Sequence, residues 1–124
     1  MKKSKIGIIG ILFILLAVVA VSGCLGEESG DGFTVNKATS ESGDGYLYTF
    51  DSGNTLTIGV VNQDVIDSIS YMGTAKSEYG SGVYYYSSSL WFEPTPGKIA
   101  SVIDYESCTT DEIKKAIADV KNKA

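Results

Sequence analysis

Histidine and arginine are missing from all 124 residues, while proline occurs twice, cysteine twice and tryptophan once. Without histidine, the chain lacks the commonest general base and the commonest metal ligand. Without arginine, its positive charge rests on ten lysines, three of which (Lys2, Lys3 and Lys5) precede position 24. The residues beyond that point carry seven lysines against fifteen acids, a formal charge of −8. Binding a phosphate backbone needs clustered cations that displace counterions, so nucleic acid is excluded as a partner. Cys24 and Cys108 lie far apart, one beside an apolar run and the other deep in the polar part of the chain. No disulfide framework can be built on them if Cys24 is otherwise engaged. A Gly-rich phosphate loop, a Ser/His/Asp set and a Cys-x-x-Cys pair are also lacking.

What is present is concentrated at the start. Lys2-Lys3-Ser4-Lys5 is followed by an almost unbroken apolar run over residues 6–21. A positive start ahead of a short apolar stretch has the form of an export leader. At about 16 residues, the run falls short of the roughly 20 that span a hydrocarbon core comfortably. Val21-Ser22-Gly23-Cys24 then resembles the lipobox of bacterial and archaeal lipoproteins: an aliphatic residue, two small residues and a cysteine. The extension to Leu25-Gly26 is most similar to lipoproteins of methanogenic archaea. The resemblance covers the first 24 residues only. It implies that Cys24 is alkylated by a membrane lipid, that the leader (residues 1–23) is removed, and that the rest sits on the outer face of the cell membrane. The alternative is an uncleaved signal anchor. A single acyl group holds a protein only marginally, so durable attachment requires two chains.

Residues 24–45 are rich in Gly, Ser and acids and read as a soft acidic linker, with a short strand expected at residues 33–35. Residues 46–124 make the domain. Tyr46, Tyr48 and Phe50 alternate with smaller partners, Asp51-Ser52-Gly53-Asn54 turns, and Leu56, Ile58 and Val60 alternate again: a hairpin. Residues 62–79 are ambiguous, and are assigned a brief helical entry and then strand from about Ser68. A β-prone aromatic run covers residues 83–92, and another alternating strand covers residues 99–105. Thr109 stands three residues before Glu112, the spacing of a capping box, and Ile113, Ala116, Ile117 and Val120 then share one helical face. The expected fold class is α+β: about five antiparallel strands and one C-terminal amphipathic helix, behind a signal or anchor helix.

Reading residues 83–92 as one strand puts Tyr84, Tyr86, Leu90 and Phe92 in the core and turns Tyr85 and Trp91 outward, beside Tyr71 or Tyr79. Such a patch suits stacking on a sugar or gripping a peptide, although cross-strand aromatic pairing explains the composition as well. Cys108 precedes the helix among Glu106, Asp111 and Glu112, which oppose a thiolate, so it reads as a packing residue. Asp64/Asp67, Asp104/Glu106 and Asp111/Glu112 are carboxylate pairs outside any recognised calcium loop. Gly30-Asp31-Gly32 and Gly43-Asp44-Gly45 lack the remaining ligands of one. Neither a cofactor nor a metal is expected. The leading expectation is a membrane-anchored, extracytoplasmic, non-enzymatic lipoprotein whose domain binds a ligand or partner, protein or glycan. An accessory subunit of an envelope assembly is the alternative, and a carboxylate-dependent glycan hydrolase the remote one.

Overall fold

The computed structural model describes residues 26–30 and 32–123, with no account of the side chains of residues 26–29. The expected leader helix and the lipidation position Cys24 lie outside the described residues. The chain is α+β, with a single antiparallel sheet flanked by helices. In chain order the elements are β1 (Gly26–Gly30), β2 (Phe33–Ser40), β3 (Gly43–Phe50), β4 (Thr55–Val61), α1 (Ile66–Met72), β5 (Thr74–Ala75), a 3-10 turn (Ser77–Tyr79), β6 (Tyr84–Tyr86), β7 (Ser89–Phe92), β8 (Ile99–Ile103) and α2 (Thr110–Lys123). The sheet order is β1-β2-β3-β4-β8-β7-β6-β5, eight hydrogen-bonded segments of which seven are three residues or longer. Two up-and-down runs, β1–β4 and β5–β8, therefore meet along β4 and β8, where Ile58 faces Val102 and Val60 faces Ala100.

The period of two in β3 and β4 has the consequence that such alternation should have. Tyr46, Tyr48, Phe50, Leu56, Ile58 and Val60 all point to one face and are buried there beneath α2, with Phe33 and Val35 from β2. Ile113, Ala116, Ile117 and Val120 supply the helix side of this core. Each large side chain so buried contributes about 1.5–3 kcal/mol before its ordering cost. The helix start follows the capping box read from sequence: Glu112 N–H donates to Thr109 Oγ1 at 3.2 Å and Thr109 N–H donates to Glu112 Oε1 at 2.9 Å. Glu112 also accepts from Ser52 Oγ at 2.6 Å and from Asn54 Nδ2 at 3.0 Å, which ties the helix start to the β3–β4 turn. Further along, the Tyr48 hydroxyl donates to Asp119 at 2.8 Å.

Three expectations are corrected. Residues 24–45 do not behave as a linker throughout, because β1 and β2 lie within them and pair into the sheet, Gly26 with Lys37 and Phe33 with Phe50. Backbone pairing along a ready edge orders a Gly- and Ser-rich segment that its own side chains could not. Strand from Ser68 is replaced by helix α1, because Val65, Ile66, Ile69 and Met72 pack at helical spacing against Trp91 and Ile99 on the face opposite α2. The helix stops at Gly73, where a Cβ would stand 2.7 Å from the Tyr85 carbonyl oxygen, so only glycine permits the approach.

The third correction concerns the aromatic run. It is two strands, β6 and β7, joined through Ser87 and Ser88, both left-handed with φ of 54° and 65°. A two-residue turn of this hand matches the twist of the flanking strands. Tyr84 then faces Trp91, Tyr85 faces Leu90 and Tyr86 faces Ser89. Tyr84, Tyr86 and Trp91 share the α1 face, whereas Tyr85, Leu90 and Phe92 share the α2 face. Leu90 and Phe92 lie in the main core as expected, but Tyr85, not Tyr84 and Tyr86, shares their face. With these additions, the count rises above the expected five or so strands.

Candidate functional site

The aromatic residues expected to form one exposed patch divide between the two sides of the sheet. Trp91 is fully buried on the α1 side, and its indole Nε1–H donates to the Tyr86 carbonyl at 2.8 Å. It does not face outward, because the turn at Ser87 and Ser88 reverses the chain between it and Tyr85. Tyr71 stands on the outer face of α1 and is 90% exposed, away from the other rings in the sheet. Tyr85, 40% exposed, lies on the α2 side. Tyr79 ends the 3-10 turn and rests half-buried against the main core on that same side.

Sequence reasoning missed the third member of this group. Tyr105 follows β8 and packs half-buried against the main core with Tyr79 and Cys108. Its phenol pKa is raised, first by burial and then by the neighbouring Tyr85, Tyr79 and Glu106. Three phenols drawn from β6, the 3-10 turn and the β8–α2 connection therefore lie on the α2 side of the sheet, with Tyr79 and Tyr85 near enough to Tyr105 to raise its pKa. The sequence reading placed Tyr105 only as the last residue of an alternating strand. The left-handed Asp104, with φ of 55°, ends that strand and lets the chain turn towards the helix. Each ring offers an apolar face and a hydroxyl that both donates and accepts, a combination suited to sugars and to peptide backbones.

The other candidates find ordinary roles. Cys108 is a half-buried free thiol that donates to the Thr55 carbonyl at 3.2 Å. Burial raises its pKa and Glu112 raises it further, against a lowering hydrogen bond from Ser107. It is a poor nucleophile in this setting. Glu112 has its carboxyl pKa lowered by the Ser52 hydrogen bond first, then by Asn54 and by the Thr109 N–H, so it serves as a structural anion at a helix start. Asp44 stands 3.9 Å from Lys37 on the neighbouring strand. Asp31 lies outside the described residues. Among the described residues, no group of three or more His, Cys, Asp or Glu side chains is placed to hold a metal ion, and no helix is long and apolar enough to cross a membrane. A shallow depression on the outer side of α2 is lined by Asp111, Lys114, Lys115 and Ala118, all from that one helix. Compared with known proteins, the chain matches no family model, no curated protein and no solved structure.

Proposed function

We propose that this protein is exported, lipid-modified at Cys24 and displayed on the outer face of the cell membrane, where its domain binds a ligand without catalysing a reaction. The attachment rests on the positive start, the short apolar run and Val21-Ser22-Gly23-Cys24. The binding role rests on one observation: Tyr79, Tyr85 and Tyr105, from three separate elements, lie on the α2 side of the sheet and are all partly exposed. A domain with a formal charge of −8 disfavours anionic ligands, so the ligand is a neutral glycan or an uncharged or basic stretch of peptide.

Two measurements test the two halves. Cys24→Ser should leave an unprocessed precursor without lipid, or release the domain; normal processing and lipid labelling of this variant would defeat the anchor. Tyr85→Ala combined with Tyr105→Ala should abolish calorimetric binding to soluble glycan fragments or peptides while leaving the far-ultraviolet dichroism unchanged. Unaltered binding by this pair would remove the tyrosine flank from consideration. Tyr71, exposed on α1 and apart from that flank, favours a second reading as an accessory subunit of an envelope assembly. Under that reading the protein co-purifies with a partner at fixed stoichiometry, and Tyr71→Ala releases it.

A further inference from the structure

The tyrosines of the α2 side sit among carboxylates. Glu78 precedes Tyr79, and Asp104 and Glu106 bracket Tyr105; all three acids are exposed. The left-handed Asp104, with φ of 55°, turns the chain out of β8 at this point. The register brings Tyr85 to the same end of the sheet. Tyr85 faces Leu90 and Leu90 faces Val102, so Tyr85 is level with a residue three positions before Tyr105, about 10 Å away across two strand spacings. Residues 74–86 and 103–107, which carry the three tyrosines, hold these three carboxylates against one lysine, Lys76. Lys121 reaches this side from α2, but it is engaged: it donates to the Ser81 carbonyl at 3.2 Å and stands 5.9 Å from the centre of the Phe92 ring. Among the described residues, Glu78, Asp104 and Glu106 form no ion pair.

We propose that this side of the sheet recognises a basic stretch of peptide, whose lysine or arginine side chains stack on the partly exposed rings of Tyr79, Tyr85 and Tyr105 and pair with Glu78, Asp104 and Glu106. The proposal rests on the ligand-binding reading of these tyrosines given above and selects one of the ligands that reading allows. A phenol ring presents a negative face to a cation, and the stem of a lysine or arginine covers apolar ring surface while its charged head stays in water. A carboxylate beside the ring then gives the head a partner, which a neutral sugar or an uncharged peptide does not need. Each exposed cation–ring contact is worth about 2- to 5-fold in affinity, so two or three together separate a basic peptide from its neutral counterpart by about tenfold or more. The formal charge of −8 on the domain acts in the same direction, by drawing a basic partner in from a distance.

The test is calorimetry on the full-length protein with four probes: capped octapeptides alternating glycine with lysine, with asparagine or with glutamate, and maltohexaose as a neutral glycan. The lysine peptide should bind about tenfold or more tighter than the asparagine peptide, and the glutamate peptide should not bind. Glu78→Gln combined with Glu106→Gln should weaken the lysine peptide about tenfold and leave the asparagine peptide unchanged. The control is Asp64→Asn combined with Asp67→Asn, which removes the same charge from exposed positions at and just before α1, on the opposite side of the sheet. It should change lysine-peptide affinity by no more than about twofold. Equal losses from the two pairs overturn the proposal, because the attraction then belongs to the whole negative body and not to this side. Failure of the lysine peptide to bind at millimolar concentration overturns it as well. Tighter binding of the asparagine peptide or of maltohexaose, lost in Tyr85→Ala with Tyr105→Ala, overturns the choice of a basic ligand and leaves the tyrosine reading standing. Lysine-peptide binding that survives the same tyrosine pair defeats both.

Discussion

Replacing Trp91 is the most demanding test of this fold, because the sequence and the structure assign it opposite environments. Read along an uninterrupted strand, Trp91 faces solvent with Tyr85, and truncating it should cost little. In the structure it is fully buried, packed with Val61, Ile69 and Ile99 beneath α1, and it satisfies the Tyr86 carbonyl at 2.8 Å. Trp91→Ala removes an entire indole from a site whose lid is one short helix. Large-to-small changes of this kind cost about 3–5 kcal/mol, and the lost hydrogen bond adds about 1 kcal/mol. Domains of this size are stable by only about 5–15 kcal/mol, so the variant loses a large share of the total. With a urea slope of about 1.5 kcal/mol per molar, the midpoint should fall by about 3–4 M. Far-ultraviolet dichroism is the correct probe, because Trp91 is the only tryptophan and its fluorescence disappears with it. Tyr71→Ala is the matched control: at 90% exposure it should shift stability by no more than about 0.5 kcal/mol. If the two variants unfold at the same urea concentration, the burial of Trp91 and the β6–β7 register that produces it are both wrong.

Other consequences are more local. Glu112→Ala removes the reciprocal cap and both bonds to the β3–β4 turn, and should cost about 1–2 kcal/mol in thermal or urea melts. Because the Glu112 pKa is lowered on folding, its contribution is complete above the ordinary value of 4.5 and disappears as the pH falls through the folded value. Stability profiles of the parent and of Glu112→Gln should therefore converge in acid, and parallel profiles would contradict that sign. Ser87 and Ser88 hold left-handed backbone that serine adopts at a cost. Ser87→Asn with Ser88→Gly supplies the preferred pair for this turn and should stabilise by about 1 kcal/mol, whereas a loss would indicate a different turn.

Legibility followed the strength of the local signal. The β3–β4 hairpin was readable because Tyr46, Tyr48, Phe50, Leu56, Ile58 and Val60 keep one period and Gly53 marks the turn. Helix α2 was readable down to its cap, because Thr109 and Glu112 interact within four residues of chain. The β6–β7 turn was not, since Ser-Ser carries none of the Asn-Gly signal that usually marks it. Missing one turn reversed the assignment of two faces, which is the known penalty of a period-two element. Strand β1 escaped for a different reason: Gly-Glu-Glu-Ser-Gly has no strand propensity, and only the edge of β2 gives it a partner. Tyr105 joined the tyrosine group through tertiary packing that no spacing in the chain encodes. Tyr79 and Tyr85 were singled out by residue type, but their separation from Trp91 depended on that missed turn, and their separation from Tyr71 on helix α1 standing where a strand was expected.

The two halves of the sheet are not equally well held, and this bears on how the tyrosine flank works. Helix α2 has 14 residues, a reciprocal cap and four buried apolar side chains. Helix α1 has seven residues, no side-chain cap and a single fully buried residue, Ile69. A helix that short has no stability of its own and persists only by packing. It leads into β5, which offers just two paired residues, and then into the 3-10 turn that carries Tyr79. Strand β6, carrying Tyr85, is held on one side by β7 and on the other by this weak edge. Local opening should therefore begin in residues 66–86 and leave β3, β4 and β8 intact. Hydrogen exchange read by mass spectrometry should show the amides of residues 66–86 exchanging well before those of residues 43–61 and 99–103. A ligand that bridges Tyr79, Tyr85 and Tyr105 would join the mobile edge to the firm centre through Tyr105, which follows β8, and protection should rise in residues 77–86 when it binds. Uniform exchange across the sheet would show that the edge is as firmly held as the centre, and the tyrosine flank would then be a rigid surface rather than one that settles on its ligand.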